Sequence, residues 1–257
     1  MEKIDKRRHY ILVLDTETAN TIQKENGLDM SNVLMYDCGW AVVDTKGNIY
    51  ETASYVNKDI FFDEQDLMKS AYYSKKIPRY LEEIADGTRQ VASTYQIRKA
   101  MLETIEKYNI KEVAAYNARF DDNALRVIQR YCTSSKWRYW FPFDSVEVWD
   151  IMKMTQDVIC KMPTYRKFCE ENNYFTANGQ LRKTAEIVWK FISKNPDFEE
   201  SHTGLEDVLI EAEIMWYCYK QHKPMRKALY ENKKEFPPMT EFQRKLLKNI
   251  RENPLTN

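Results

Sequence analysis

Tyr10-Ile11-Leu12-Val13-Leu14-Asp15-Thr16-Glu17-Thr18 sets five apolar residues directly against two carboxylates placed two positions apart. A short, continuous apolar run of this kind reads as a buried strand, with the acids at its C-terminal end. Positions i and i+2 of a strand face the same side, so Asp15 and Glu17 point together at one place. Two like charges there repel unless a cation sits between them, and a divalent metal is the natural counter-ion. The same acids also suit a solvated loop start, so the reading needs partners further along the chain.

Outward from this strand, Ala19 to Asn32 is polar, contains Gly27 and reads as a loop over the strand end. Cys38 to Asp44 and Ile49 to Val56 flank Thr45-Lys46-Gly47-Asn48, a hairpin with Gly47 supplying the turn. Phe61 to Val91 holds charged helical fragments such as Asp66 to Tyr73 and a break at Pro78. Ala92 to Tyr108 carries Ile97, Met101, Leu102 and Ile105 at helical spacing, and Glu112 to Tyr116 follows as a short buried strand. That order fits a strand returning parallel to the first through a crossover.

In Asn117-Ala118-Arg119-Phe120-Asp121-Asp122-Asn123-Ala124-Leu125 the second strand gives way to a helix reaching about Tyr131. Asp121 falls in the first turn, where the helix dipole favours a carboxylate, and just after a buried strand it can face Asp15 and Glu17. Asp122 reads as an ordinary acidic helix start. Phe143 to Trp149 is a further strand, and Asp150 reads as the cap of a helix over Ile151 to Cys160 rather than as a fifth acid. Tyr165 to Asn173 and Thr184 to Ser193 look helical, with Asn178-Gly179 as a turn between them.

The last chemical stretch is Ser201-His202-Thr203-Gly204-Leu205-Glu206-Asp207 and the residues to Ile214. Thr203 and Glu206 have capping-box spacing, which places a helix start at Thr203, His202 just outside on flexible chain, and Asp207 inside. Leu205, Leu209, Ala212 and Trp216 form an apolar stripe for packing on the sheet. His202, five positions before an acid and with three more acids at strand ends, reads as a site residue, whereas His9 and His222 read as structural or solvated.

The totals bound the protein class. The 257 residues balance Lys plus Arg against Asp plus Glu at 39 each, so global charge steers nothing. Charge is uneven, however: residues 220–257 hold ten Lys/Arg against four Asp/Glu, a surplus of six that leaves residues 1–219 near minus six. Five scattered cysteines without a C-x-x-C pair argue against a disulfide framework or a zinc site and fit buried thiols in a reducing compartment. No apolar run approaches the ~18 residues of a membrane span and no signal-peptide core follows the charged start, so a soluble, cytoplasmic protein is expected.

Asp15-Thr16-Glu17, Asn117-x-x-Phe120-Asp121 and His202-x-x-x-x-Asp207, in that order, resemble the three motifs of the DEDDh 3'-5' exonucleases, and look like those of small phage-type members. The resemblance spans Asp15 to Asp207. It implies an RNase H-like α/β fold, a five-stranded mixed sheet flanked by helices, over residues 1–220, with insertions around 60–91 and 150–200 and a basic helical tail at 221–257. It further implies two Mg2+ or Mn2+ ions held by Asp15, Glu17, Asp121 and Asp207, His202 as general base, and substrate contacts from Thr16, Thr18, Asn117 and Phe120. Hard divalent cations favour such oxygen ligands. A phage-encoded member would act in the host cytoplasm.

The chain departs from the family pattern in three places: Thr18-Ala19-Asn20 stands where Thr-Thr-Gly is frequent, which bears on contacts to the terminal nucleotide, and Gly204 and Val208 stand where Ala is usual. The expected activity is release of nucleoside monophosphates from a single-stranded DNA or RNA 3' end. An oligoribonuclease-like enzyme for short oligonucleotides and a catalytically silent nucleic-acid-binding or scaffold module remain as alternatives. Lys136-Trp137-Arg138-Tyr139-Trp140-Phe141 suits a packed flap of the core or a base-stacking surface. Lys233-Lys234 and Arg244-Lys245 suit a solvated amphipathic helix after Pro237-Pro238 or a track for a phosphate backbone.

Overall fold

The computed structural model describes residues 4–5, 7–20, 22–24, 27–70, 74–135, 139–141 and 146–230. The chain forms β1 (Tyr10–Ala19), β2 (Ile22–Lys24), β3 (Gly27–Asp29), β4 (Leu34–Asp44) and β5 (Ile49–Asn57). Helices α1 (Lys58–Phe61), α2 (Gln65–Ser70) and α3 (Ile77–Ala85) follow, α3 directly after a 3-10 turn at Ser74–Lys76. Then come β6 (Gln90–Ala92), α4 (Thr94–Tyr108), β7 (Glu112–Ala115), α5 (Arg119–Ile128) and β8 (Glu147–Asp150). Helices α6 (Ile151–Val158), α7 (Pro163–Glu171), α8 (Ala185–Ser193) and α9 (Gly204–Lys220) complete the order.

One mixed sheet runs β6-β5-β4-β1-β7-β8. Within it β1 is antiparallel to β4 and parallel to β7, so it sits at the centre with neighbours on both sides. The expected RNase H-like α/β arrangement is present, with six strands in place of five. The additional strand, β6, is three residues long and pairs with the last residues of β5, too short to carry a hydrophobic pattern of its own. A second departure lies in 19–32, where β2 and β3 form a separate antiparallel ribbon inside the expected loop.

Alternation along β1 supplies both faces of the core. Leu12 and Leu14 pack with Trp40, Ile97 and Met101 on the α4 side, while Ile11 and Val13 pack with Val208, Ala212 and Met215 on the α9 side. Each fully buried aliphatic side chain of this kind contributes roughly 1.5–3 kcal/mol. The strand also runs further than its apolar run: β4 stays paired with it as far as Ala19, across a register shift between Glu17 and Thr18. Asp15 and Glu17 therefore lie inside β1 rather than at its end.

Other elements follow their local sequence. The hairpin closes through Gly47 N–H to Asp44 C=O and Asp44 N–H to Asn48 C=O, each 3.1 Å, with Gly47 at φ 84°, which favours glycine. A reciprocal Ser93/Gln96 capping box starts α4, and Asp150 caps α6 by accepting from Met152 N. Trp140 and Phe141 are buried, so this half of the aromatic segment is core. Residues 136–138, 142–145 and the basic stretch 231–257 lie outside the described residues. Before that stretch, the chain turns back along β8, with Asp150 N–H donating to Lys227 C=O (2.7 Å) and Leu229 N–H to Val148 C=O (2.8 Å). Among the described residues no helix is long and apolar enough to cross a membrane, and all five cysteines are free thiols.

Candidate active site

Asp15 and Glu17 continue the Ile11/Val13 alternation and so face α9. Across β4 their partners are Gly39 and Asp37. Gly39 is where α9 begins: a Cβ there would lie 2.3 Å from Leu205 N and 2.4 Å from Gly204 C. A Cβ on Gly204 would in turn lie 2.7 Å from Gly39 N. Two glycines thus let a helix start cross a strand at backbone distance, which brings His202 and Asp207 over the acids of β1. The glycine at 204, a departure from the family pattern in sequence, is what this approach requires.

The helix start itself is secured differently from expectation. Thr203 is the N-cap residue, but it makes no side-chain cap hydrogen bond. Its hydroxyl donates instead to Glu206 Oε2 at 2.8 Å, and Glu206 Oε1 accepts from Arg79 Nη2 at 2.5 Å. The N–H of Gly204 donates to Asp37 Oδ2 at 2.9 Å. Asp37 is wholly buried and also receives Tyr80 OH (2.6 Å) and Arg89 Nη1 (2.9 Å). Arg89, just before β6, is buried too, so Asp37 on β4 joins α9 through Gly204, α3 through Tyr80 and the approach to β6 through Arg89.

The packing face of α9 also differs. Gly204, Asp207, Val208, Glu211, Ala212, Met215 and Cys218 are buried, whereas Leu205, Leu209 and Trp216 are only half-buried. Of the expected stripe, Ala212 alone belongs to the buried face. The helix is apolar on most sides, and its orientation is set by the two glycines and by acids that turn inward. Glu211, one turn after Asp207 on the same face, is the acid that sequence reasoning missed; its Oε2 accepts from Tyr116 N–H at 3.1 Å.

Asp121 arrives from the other side of β1. Strand β7 pairs with β1 only from Ile11 to Val13, which leaves the N–H of Thr16 without a strand partner on that flank. Asp121 Oδ1 takes it, accepting from Thr16 N (3.0 Å) and Thr16 Oγ1 (2.8 Å). The Thr16 hydroxyl, expected to touch substrate, is therefore engaged in holding Asp121. Asn117 is exposed at the turn into α5, with φ 59°, and its carbonyl accepts from Phe120 N at 2.9 Å. Thr18 is buried and Phe120 half-buried.

The Glu17, His202 and Asp207 ligand atoms lie within 4.8 Å of one another. Asp15 and Asp121 join this trio electrostatically. Burial first, then the charges of Asp121, Glu211, Glu17 and Asp207, holds the Asp15 carboxyl well above the usual carboxylate range. Burial and the Asp207 and Asp37 charges do the same to Glu17. Asp121 is pushed up to about 7 by burial, against the opposing Thr16 hydrogen bonds. Asp207 is pushed up to about 8 by burial and then by Glu200, and its Oδ1 is buried without a hydrogen-bond partner.

His202 takes a left-handed φ of 52° and its Nδ1 stands 3.7 Å from Glu200 Oε2. Burial, then the Lys76 charge, lowers its pKa. Glu200, pushed up to about 7 by burial, and Lys76 are further neighbours with no pattern in the sequence to reveal them. His9 is bonded to Glu112 at 2.8 Å, away from the cluster. Asp122 bonds Tyr230 OH at 2.6 Å and pairs with Arg126, an ordinary surface role.

An oxygen-rich cluster whose carboxyls are destabilised by burial and by one another, with one buried oxygen lacking a partner, fits a divalent cation. Glu17 and Asp207, with His202, offer the grouped ligand atoms such an ion could take.

No family model matches the sequence, and no curated protein matches it. Solved structures do share its fold. E. coli exonuclease I in complex with a dT13 oligonucleotide aligns with TM-score 0.52 and 14% identity, over 84% of this chain and 41% of that one. A full-length 3'-exonuclease aligns with TM-score 0.55 and 12% identity, over 87% and 88%. A 3'-exonuclease described in 3'-end-specific recognition of the histone mRNA stem-loop aligns with TM-score 0.52 and 11% identity, over 90% and 71%. The chain spans about two fifths of the exonuclease I chain, and at these identities the likeness is one of fold.

Proposed function

We propose that this chain is a metal-dependent 3'-5' exonuclease of the DEDDh type, releasing nucleoside monophosphates from single-stranded DNA or RNA. The observation that carries the proposal is the convergence of Glu17, His202 and Asp207, from a central strand, a loop and a helix, within 4.8 Å. Structures of the same fold include an exonuclease bound to a single-stranded oligonucleotide and a 3'-exonuclease recognising RNA, which supports the substrate class.

Two Mg2+ or Mn2+ ions at Asp15, Glu17, Asp121 and Asp207 would supply positive charge to activate a water and stabilise the leaving oxygen. The chain's own residues do the rest. Neutral His202 accepts a proton from the attacking water at a ring nitrogen. Thr16 fixes the orientation of the Asp121 carboxylate through two donors, its N–H and its hydroxyl. Gly39, Gly204 and Asp37 hold the start of α9, and with it the spacing between Asp207 and Glu17. Thr18, Asn117 and Phe120 are the proposed contacts to the terminal nucleotide, and the host cytoplasm is the proposed location of a phage-type member.

The test is degradation of 5'-labelled single-stranded DNA and RNA, from two nucleotides to several tens, with Mg2+, Mn2+ or chelator. A metal-dependent ladder shortening from the 3' end is expected. Cleavage confined to the shortest strands would select the oligoribonuclease-like reading. Binding without cleavage under every metal would select the silent module and overturn the proposal.

A further inference from the structure

Helix α3 lies in the 60–91 segment that exceeds a minimal member of the fold family, yet it is fastened to the site. Arg79 bonds Glu206 at the start of α9 and Glu83 on its own helix (2.7 Å). Tyr80 bonds Asp37, which holds Gly204. Lys76 stands at the N-cap of α3, three and four positions before these anchors and hence on the same face. That face borders the acids, since Tyr80 bonds Asp37, the cross-strand partner of Glu17, and Arg79 bonds Glu206, the residue before Asp207; in keeping with this, the Lys76 charge acts on Glu17, Asp207, Glu200 and His202. Half-buried Lys76 thus sits one turn before two hydrogen-bonded anchors, on the side of α3 that borders the trio.

We infer that Lys76 is a substrate ligand, donating from its ammonium to a non-bridging oxygen of the phosphodiester being cleaved; this rests on the exonuclease reading. The site's protein groups are otherwise mostly acidic, and hydrolysis builds negative charge on the phosphate. A preorganised cation in a partly dry site stabilises that charge more than water does. The alternative role for the same lysine is neutralising Glu17 and Asp207, and the two roles separate experimentally.

The full chain and its Lys76→Gln and Lys76→Arg variants would be compared in kcat and KM on a 5'-labelled single strand, across Mg2+ and salt concentrations. Strand binding would be measured in Ca2+ by fluorescence anisotropy. Lys76→Gln should lose roughly 10²-fold in kcat/KM at saturating Mg2+, and its binding should have a shallower salt dependence, by about 0.7 in log-log slope for one lost phosphate contact. Lys76→Arg should recover most of both. Unchanged kcat/KM and slope in Lys76→Gln would overturn the inference. So would a variant that needs less Mg2+ for half-saturation while kcat and slope stay fixed, the signature of charge balancing alone. A wild-type chain that cleaves nothing, yet binds with a slope steeper than Lys76→Gln, would support Lys76 as a phosphate ligand and overturn only the exonuclease reading.

Discussion

Burial and the Lys76 charge both move the His202 imidazole toward its neutral form, the form a general base must have. Activity should therefore rise with pH along an acidic limb centred below the usual imidazole value of about 6.5 and level off above it. His202→Ala should remove that limb and slow kcat by roughly 10² to 10⁴-fold while metal binding, followed by calorimetry, persists. Asp15→Ala or Asp207→Ala should instead abolish turnover and weaken metal binding. Full activity in both Asp15→Ala and His202→Ala would sink the site assignment. At this scale the sequence was informative where residues sit close together along the chain: D-x-E and H-x-x-x-x-D carry their spacing openly. Glu211, Glu200 and Lys76 carry none, because their nearness to the acids is created by other segments. Thr16 lies between the two acids in sequence and was expected to touch substrate; its hydrogen bonds to Asp121 depend on where β7 stops.

The geometry of the site is set by one crossing of elements, α9 over β4. Gly39→Ala would force backbone against backbone, since the added Cβ meets Leu205 N at 2.3 Å. Overpacking of this type costs roughly 1–3 kcal/mol; denaturant unfolding should show that loss, and turnover should fall because Asp207 and His202 move with the helix start. Removing the buried partner of Asp37 by Arg89→Ala should cost more, roughly 3–5 kcal/mol, because a carboxylate is left without its charge partner. An Arg89→Ala variant as stable as wild type would mean Asp37 is held by Tyr80 and Gly204 alone. The α9 contact face could not be read from periodicity, since apolar residues surround the helix and the buried face carries Asp207 and Glu211. The capping-box spacing located the helix start but not its bonds, as Arg79, from a distant segment, competes for Glu206.

For the whole molecule, the acid cluster links stability to pH. Asp121 and Asp207 are raised in the folded state to about 7 and about 8, above their unfolded values near 3.9. The folded chain then binds more protons than the unfolded chain across that window. Stability from these groups is complete below about pH 4 and is lost as pH rises through 7 to 8. The metal-free Tm of wild type should accordingly fall more steeply from pH 5 to 8 than that of Asp207→Asn, and Mg2+ should raise the wild-type Tm more at pH 8 than at pH 6. Equal slopes for the two proteins would show that Asp207 is not the strained acid. The sequence by itself determined strands β1, β4, β5, β7 and β8, the helices between and after them, and the central place of Tyr10 to Leu14, because those follow from local periodicity. The tertiary structure alone decided which face α9 buries, that Thr16 serves Asp121, that the sheet gains a sixth strand, and that Lys76 and Glu211 stand at the site. These depend on contacts between residues far apart in sequence, and a backbone approach through two glycines has no signature until both segments are in place.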